Sequence, residues 1–382
     1  MWVKKVLSRI IRRVKLNGLA ALVPATLSRQ KHTNAGPSVT APVFSEKIAF
    51  LNNPESYPNP AYDFVHKETH ISSVFLAGDK VYKLKKPVRF PYLDYSTLAK
   101  REVNCRAELV LNRRLAGDVY EQVVPLTQTS HGLSIGGAGE IADWLVVMRR
   151  LDESRTLEHA IQSGALAAWQ LDRVVATLVD FYRRTHAIFV SPGRHLANWQ
   201  RSLTYNRCLL LDSRFALPAG LIRRIDAAQR RFLSRRSQLL KARVHDHQIV
   251  DGHGDLRPEH IWLSDPVTII DCLEFNANLR AVDPFDEIAY LCIECERLGG
   301  AWVSQYIRRR AIHALHDHLS DELFTFYRCH RATLRARLSI AHLLEADPRT
   351  PEKWPRLART YLRIAATDAV RLEQMLKIRA NR

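Results

Sequence analysis

The sequence predicts an α+β chain of two lobes, a small β-rich N-lobe followed by a larger helical C-lobe. Three observations lead there. Short β-branched and aromatic runs broken by turn residues fill positions 47–148, with a single helical stretch among them. Beyond Thr156, apolar residues recur at three-to-four spacing through most of the remaining chain. Within that helical half, residues 250–275 form one interruption, a strand–loop–strand pattern with a carboxylate near each structured end.

A chain of 382 residues can bury the cores of two lobes. Hydrophobic content of 46% beside 25% charged residues is that of a globular protein and excludes a disordered chain. No run of 18 or more apolar residues occurs, so no transmembrane helix is expected. The six cysteines are scattered through apolar or helical surroundings, which points to free thiols in a reducing, cytoplasmic setting. Cys292 and Cys295 form a C-x-x-C with no second pair at zinc spacing, and they are assigned to core packing. The formal charge of +18 is uneven: residues 1–45 hold eight basic residues and no acidic one, leaving 49 basic against 39 acidic residues elsewhere. That excess suits a polyanion such as a nucleoside triphosphate. No zinc finger, basic-zipper or RNP pattern is present, so no nucleic-acid partner is expected.

Taken in order, residues 1–46 are a basic extension and linker. Positions 1–30 have the pattern of a basic amphipathic helix suited to a membrane surface or a transit peptide, and 31–45 are rich in Pro, Ser, Thr and Asn. A dispensable extension is the plainer reading. In the N-lobe, a strand at 69–77, a Gly78-Asp79 turn and a returning strand at 80–84 make a hairpin. A helix follows at 97–115, then strands at 123–127, 133–135 and 144–148. Helices are expected at 166–189, 221–244, 286–298, 301–319, 322–346 and 354–378, with no internal repeat.

In the interrupting segment, His253-Gly254-Asp255 opens a loop that Pro258 keeps out of a helix. The apolar runs 261–263 and 267–270 flank a Ser-Asp-Pro turn, a hairpin pattern. This hairpin would gather Asp255, His260 and Asp271 at one end. Two carboxylates and an imidazole at a loop mouth can hold a base and a metal for phosphoryl transfer, although solvated hairpin ends are the bland alternative.

His-Gly-Asp, a polar ligand five residues on, and a strand ending in Ile269-Ile270-Asp271 resemble the active-site signature of the aminoglycoside-phosphotransferase-like kinases. The continuation Glu274-Phe275-Asn276, Leu279-Arg280, Asp283 and Asp286-Glu287-Ile288-Ala289 resembles one uncharacterised bacterial branch, whose longer members carry a second, P-loop ATP-binding domain. Glu68-Thr69-His70, residues 74–87 and Leu111-Asn112-Arg113-Arg114-Leu115 agree with it. The resemblance spans roughly residues 47 to 345. No G-x-x-x-x-G-K-[ST] occurs, so the P-loop domain is expected to be missing here.

The resemblance implies a protein-kinase-like fold, with an N-lobe at 47–148 and a C-lobe at 149–382 containing the catalytic loop 250–275. Val146–Leu151 would be the hinge whose backbone meets adenine, with Val147 and Met148 as its nucleotide-binding members. Lys83 would hold the triphosphate, and Glu108 would brace it, whereas Glu102 suits a surface pair with Arg106 at i, i+4. Asp255 would be the base or the hydroxyl-orienting group, and Asp271 the Mg²⁺ ligand. His260 stands where the wider family has Asn. An imidazole suits Mn²⁺ or Zn²⁺ better than Mg²⁺, so it either binds a second metal or phosphate directly or only orients the two aspartates. No Gly-rich loop occurs; His70-Ile71-Ser72-Ser73 occupies its place, and the hydroxyls of Ser72 and Ser73 or backbone N–H groups there would meet phosphate. Glu274 is a candidate to reach metal or substrate. His253 and Asp286 are assigned structural roles, Asp286 doubling as a helix N-cap. Histidines at 245/247 and 313/316/318 are assigned to solvated faces.

The function expected from this resemblance is ATP- and Mg²⁺-dependent phosphoryl transfer, with Mn²⁺ as the alternative ion, to a hydroxyl of a small molecule. A net basic C-lobe does not favour an aminoglycoside as that molecule. The alternative is a nucleotide-binding pseudokinase or regulatory module. Retention of Lys83, Glu108, Asp255 and Asp271 together argues against it, since binding alone needs no Asp255.

Overall fold

A computed structural model describes residues 42–59, 63–345, 348 and 350–378. The basic amphipathic stretch and most of the linker expected before them lie outside the described residues. In the N-lobe, helix α1 (Phe44–Leu51) begins ahead of the expected lobe start at 47. It is followed by β1 (Phe64–Glu68), β2 (Ser72–Ala77), β3 (Lys80–Lys85), the short pair β4 (Arg89–Phe90) and β5 (Leu93–Asp94), helix α2 (Leu98–Ala116), β6 (Tyr120–Thr129), β7 (Gly132–Ile135) and β8 (Glu140–Arg149). Six strands form one antiparallel sheet in the order β1-β2-β3-β8-β6-β7.

Strand alternation gives this sheet two different faces. Phe75, Tyr82, Leu84, Leu145 and Val147 turn one way, against Leu51 and Tyr57. Val146 and Met148 turn the other way, against Cys105 of α2, Val119 and Tyr120. Phe75 and Leu84 are fully buried, and each contributes about 2 kcal/mol through the area it removes from water. On β3 the same alternation sends Lys83 and Lys85 to the α2 side. Thr97 caps α2 by accepting from the Lys100 amide.

The C-lobe holds α3 (Leu157–Gln162), α4 (Ala168–Arg184), α5 (Pro192–Leu210), α6 (Ala219–His245), β9 (Val250–Asp251), β10 (Ile261–Trp262), β11 (Thr268–Ile269), α7 (Ala277–Arg280), β12 (Ala281–Val282), α8 (Pro284–Arg297), α9 (Ala301–Leu315), α10 (Asp321–Ala341) and α11 (Lys353–Ile378). Helix α8 runs through the centre, and residues 284–295 are all buried. Cys292 and Cys295 are fully buried thiols in that core. Because the helices around α8 are Arg-rich, their inward arginines arrive with partners. Arg331 grips Asp286 through two bonds of 2.7 and 2.6 Å, and Arg335 meets Glu294 at 2.7 Å. Asp286 therefore sits inside the helix as an arginine partner. The N-cap expected there is Asp283, which accepts from the Phe285 amide at 2.8 Å.

Candidate active site

Strands β10 and β11 pair as the expected hairpin, with Ile261 opposite Ile269 and Trp262 opposite Thr268. The loop before it is held from behind by Glu287 of α8. One Glu287 oxygen accepts from the Gly254 amide at 2.6 Å, and the other accepts from the His253 amide at 3.1 Å and from the Tyr182 hydroxyl at 2.8 Å. His253 donates from Nε2 to the Ile270 carbonyl at 2.9 Å and accepts the Asp255 amide at Nδ1, so it braces both arms of the segment. Burial holds its pKa below the ordinary histidine value, in keeping with this neutral tautomer. The backbone lies so close to Glu287 that a Cβ on Gly252 would stand 2.5 Å from the Val282 side chain and 3.0 Å from the Glu287 carboxylate. Gly252→Ala is expected to destabilise the chain by about 1–3 kcal/mol in urea denaturation, and an unchanged midpoint would contradict this packing.

Asp271, at the end of β11, has φ of +63°, a left-handed conformation that costs a non-glycine residue stability and clusters at functional positions. Its surroundings impose the bend. The Cys272 amide donates to Asn112 Oδ1 at 2.8 Å, the Asp271 amide to the Tyr120 hydroxyl at 3.3 Å, and the Leu273 amide to the His253 carbonyl at 3.0 Å. The Asp271 carboxylate is left 44% exposed.

Lys83 Nζ lies 2.9 Å from Asp271 Oδ1 and 2.8 Å from Glu108 Oε1, joining β3, α2 and the C-lobe loop in one ion cluster. Burial opposes the ammonium charge, but Asp271 and then Glu108 hold its pKa well above the ordinary value. Crowding by protein likewise opposes ionisation of Asp271, yet Lys83 and His260 depress its pKa strongly. Glu108 is 1% exposed, and its second oxygen binds Lys85 at 2.6 Å. Lys85 is 0% exposed and also reaches Glu274, which accepts the Tyr95 hydroxyl as well. Glu274 thus serves the second lysine inside the cluster. Glu102 lies on the surface, paired with Arg106 at 2.9 Å.

Asp255 is tied to this cluster through one imidazole. His260 Nδ1 donates to the Asp255 carbonyl at 2.9 Å, and its Nε2 stands 3.6 Å from Asp271 Oδ2. That Nε2 already accepts from Arg257 Nη2 at 3.0 Å, which places a guanidinium beside its lone pair. The geometry therefore favours orientation of the aspartates over direct metal binding by His260. The Asp255 carboxylate accepts from the Tyr290 hydroxyl at 2.8 Å and faces Arg257 Nε at 3.1 Å. Burial raises its pKa, but Arg257 and His260 outweigh that and leave it below the ordinary value.

Val147 and Met148 lie inside β8, where β3 pairs with both on one side and β6 on the other, so their backbone groups belong to the ladder. The chain leaves the sheet after Arg149, and the Arg150 amide still donates to the Asp79 carbonyl at 2.7 Å, so 150 and 151 are the part of the expected hinge that follows the strand. The Met148 side chain belongs to the buried cluster against which Val81, Leu151 and Ile270 pack. Ser72 and Ser73 begin β2 and are buried, and alternation separates them. Only Ser72, opposite Lys85, shares the lysine face, while Ser73 turns to the other core. The two hydroxyls therefore do not share one face.

Several members of the site were not singled out as site residues in the sequence. Lys85 carried a usable signal, because it is two residues from Lys83 on one strand face. Tyr95, Tyr120, Tyr290 and Arg257 enter through tertiary contacts that no local pattern announces.

No family model matches the chain. Uncharacterised proteins of Mycobacterium tuberculosis and Mycobacterium bovis are 31% identical to it over 288 residues, which is 74% of this chain and 56% of theirs. The chain thus spans little more than half the length of the curated relatives it matches. Among solved structures, choline kinase from Cryptosporidium parvum aligns with 87% of this chain and 97% of its own, at a TM-score of 0.50 and 9% identity. A thermostable mutant of aminoglycoside phosphotransferase APH(4)-Ia, in complex with ADP and hygromycin B, aligns with 84% of this chain and 98% of its own, at a TM-score of 0.43 and 12% identity. The β-sheet N-lobe and helical C-lobe make this a kinase-like two-lobe fold. No described helix is long and apolar enough to cross a membrane.

Proposed function

We propose that the chain is an ATP-dependent phosphotransferase that delivers the γ-phosphate to a hydroxyl of a small molecule. The observation that carries this reading is Lys83, bonded at once to Glu108 of the N-lobe and Asp271 of the C-lobe, with Asp255 one imidazole away. Phosphoryl transfer asks for positioning and charge compensation more than covalent help, and these groups offer both.

Lys83 binds triphosphate oxygens, and Glu108 keeps its ammonium aimed across the cleft. Asp255, kept ionised by Arg257 and oriented by Tyr290, accepts the proton of the acceptor hydroxyl and points that oxygen at phosphorus. The residues also fit a divalent ion. Lys83 and Lys85 face three carboxylates, Glu108, Asp271 and Glu274, and only Asp271 presents a substantially exposed one. A hard carboxylate of this kind suits Mg²⁺, with Mn²⁺ as the alternative, and the bound ion would offset charge on the β- and γ-phosphates. The guanidinium beside His260 speaks for a single ion. Support from the structural neighbours is limited to the fold, so the acceptor stays at the level of a small-molecule alcohol.

Thermal denaturation with ATP tests this reading. Native protein is expected to be stabilised by ATP with Mg²⁺ or Mn²⁺, but not by ATP with EDTA, and Asp271→Ala is expected to lose the metal-dependent part. Absence of any shift in the native chain would overturn it.

A further inference from the structure

We propose that His70, His342 and Glu345 form a binding site for a borderline divalent metal ion, of the Zn²⁺ type, that staples the two lobes together. The three donor groups gather within 4.8 Å of one another, and none of their side chains is a member of the Lys83–Asp271 cluster. His70 comes from the turn between β1 and β2, whereas His342 and Glu345 come from the C-lobe turn that ends α10. Both imidazoles aim Nδ1 at one carboxylate oxygen, Glu345 Oε1, at 3.1 and 2.8 Å.

Two imidazoles and a carboxylate are a donor set for Zn²⁺ and its neighbours, softer than anything Mg²⁺ selects. Metal–ligand bonds of about 2.0–2.2 Å put tetrahedral donors on the order of 3.4 Å apart, and two pairs here are already that close. Aromatic stacking fixes both rings. His70 lies on Phe90 with centroids 4.8 Å apart, and His342 lies on Trp354 at 3.9 Å. Each donor side chain is about one-third exposed, which leaves an entry path and room for water as a fourth ligand. The nearby Lys86 ammonium is held elsewhere, by Glu68 and the Thr69 carbonyl.

The position gives such an ion a mechanical consequence. The covalent link between the lobes leaves β8 beside the Lys80 end of β3, since Lys80 pairs with Arg149. His70 lies beyond the opposite end, where Ser72 pairs with Lys85. A metal there would close the cleft at the edge farthest from the linker.

Co²⁺ tests the site directly, because it absorbs in the visible when bound by nitrogen and oxygen donors and competes with Zn²⁺. The full chain is expected to bind one Co²⁺ that Zn²⁺ displaces, and Zn²⁺ alone is expected to raise the melting temperature. His342→Ala and the near-isosteric Glu345→Gln should each weaken the ion by at least about tenfold and abolish the thermal shift. Asp271→Ala should leave both readouts intact, which separates this site from the proposed catalytic one. No Co²⁺ spectrum, native affinity in either ligand variant, or loss in Asp271→Ala would each overturn the proposal, leaving the cluster a hydrogen-bonded contact between lobes.

Discussion

Asp255→Asn is expected to leave nucleotide binding unchanged and to lower phosphoryl transfer by about 10²–10⁴-fold, the usual contribution of a positioned general base. With water standing in for the acceptor hydroxyl, the loss can be read as ATP hydrolysis. The amide keeps an oxygen for the Tyr290 hydroxyl, which donates to Asp255 Oδ1 at 2.8 Å, so the loop should keep its shape. It lacks the negative charge that Arg257 sustains and that draws a proton from the incoming hydroxyl. Hydrolysis at the native rate, with binding also native, would remove Asp255 from the chemistry. Loss of binding would instead show that it belongs to the nucleotide site.

The second large effect is on stability. Lys85→Met is expected to destabilise the chain by about 3–5 kcal/mol, because it strands charges that were paired in a dry interior. Methionine fills most of the space of the lysine stem, so packing loss is small. What is lost is the ammonium between Glu108 and Glu274, two carboxylates that are 1% and 6% exposed. Adding Glu274→Gln should recover part of the loss by removing one stranded charge while keeping an acceptor for the Tyr95 hydroxyl. Lys80→Met is the internal control. Lys80 and its partner Glu121 are both about one-third exposed, and pairs of that kind contribute under about 1 kcal/mol. Equal losses for the two lysines in urea denaturation would contradict the burial described for β3.

These lysines also show what the sequence could convey. Lys80, Lys83, Lys85 and Lys86 look alike in a basic strand, and alternation separates Lys83 and Lys85 from Tyr82 and Leu84. It cannot reveal that Glu108 is shared by both, since that depends on how α2 crosses the sheet. The hairpin at 261–269 was legible because β-branched runs flank a proline-containing turn. β1 was not, because only Phe64 and Val65 in it are apolar and it is an edge strand paired with β2 alone. Helix α5 was also missed. Its buried residues Trp199 and Leu203 are spaced for a helix but diluted by Arg, Asn and Gln, and the Ser191 cap and Pro192 are the clearest sign of its start. The expected hinge, 146–151, straddles the end of β8 for a similar reason. A strand of Trp144 to Met148 can be read from its apolar run, but the ladder continues to Arg149, and only the pairing partners reveal that. Glu287 was legible as part of a motif, yet its hold on the amides of His253 and Gly254 is a tertiary fact.

The central claim is that a nucleoside triphosphate binds between the lobes on Lys83. Isothermal titration of ATP with Mg²⁺ into the native chain and into Lys83→Met, with circular dichroism confirming that the variant is folded, tests it most directly. One nucleotide per native chain is expected, with affinity in the variant reduced about tenfold or more, since a charge-assisted hydrogen bond contributes about 1.5–3 kcal/mol. Equal affinity in the two proteins, or no binding to the native one, would contradict it.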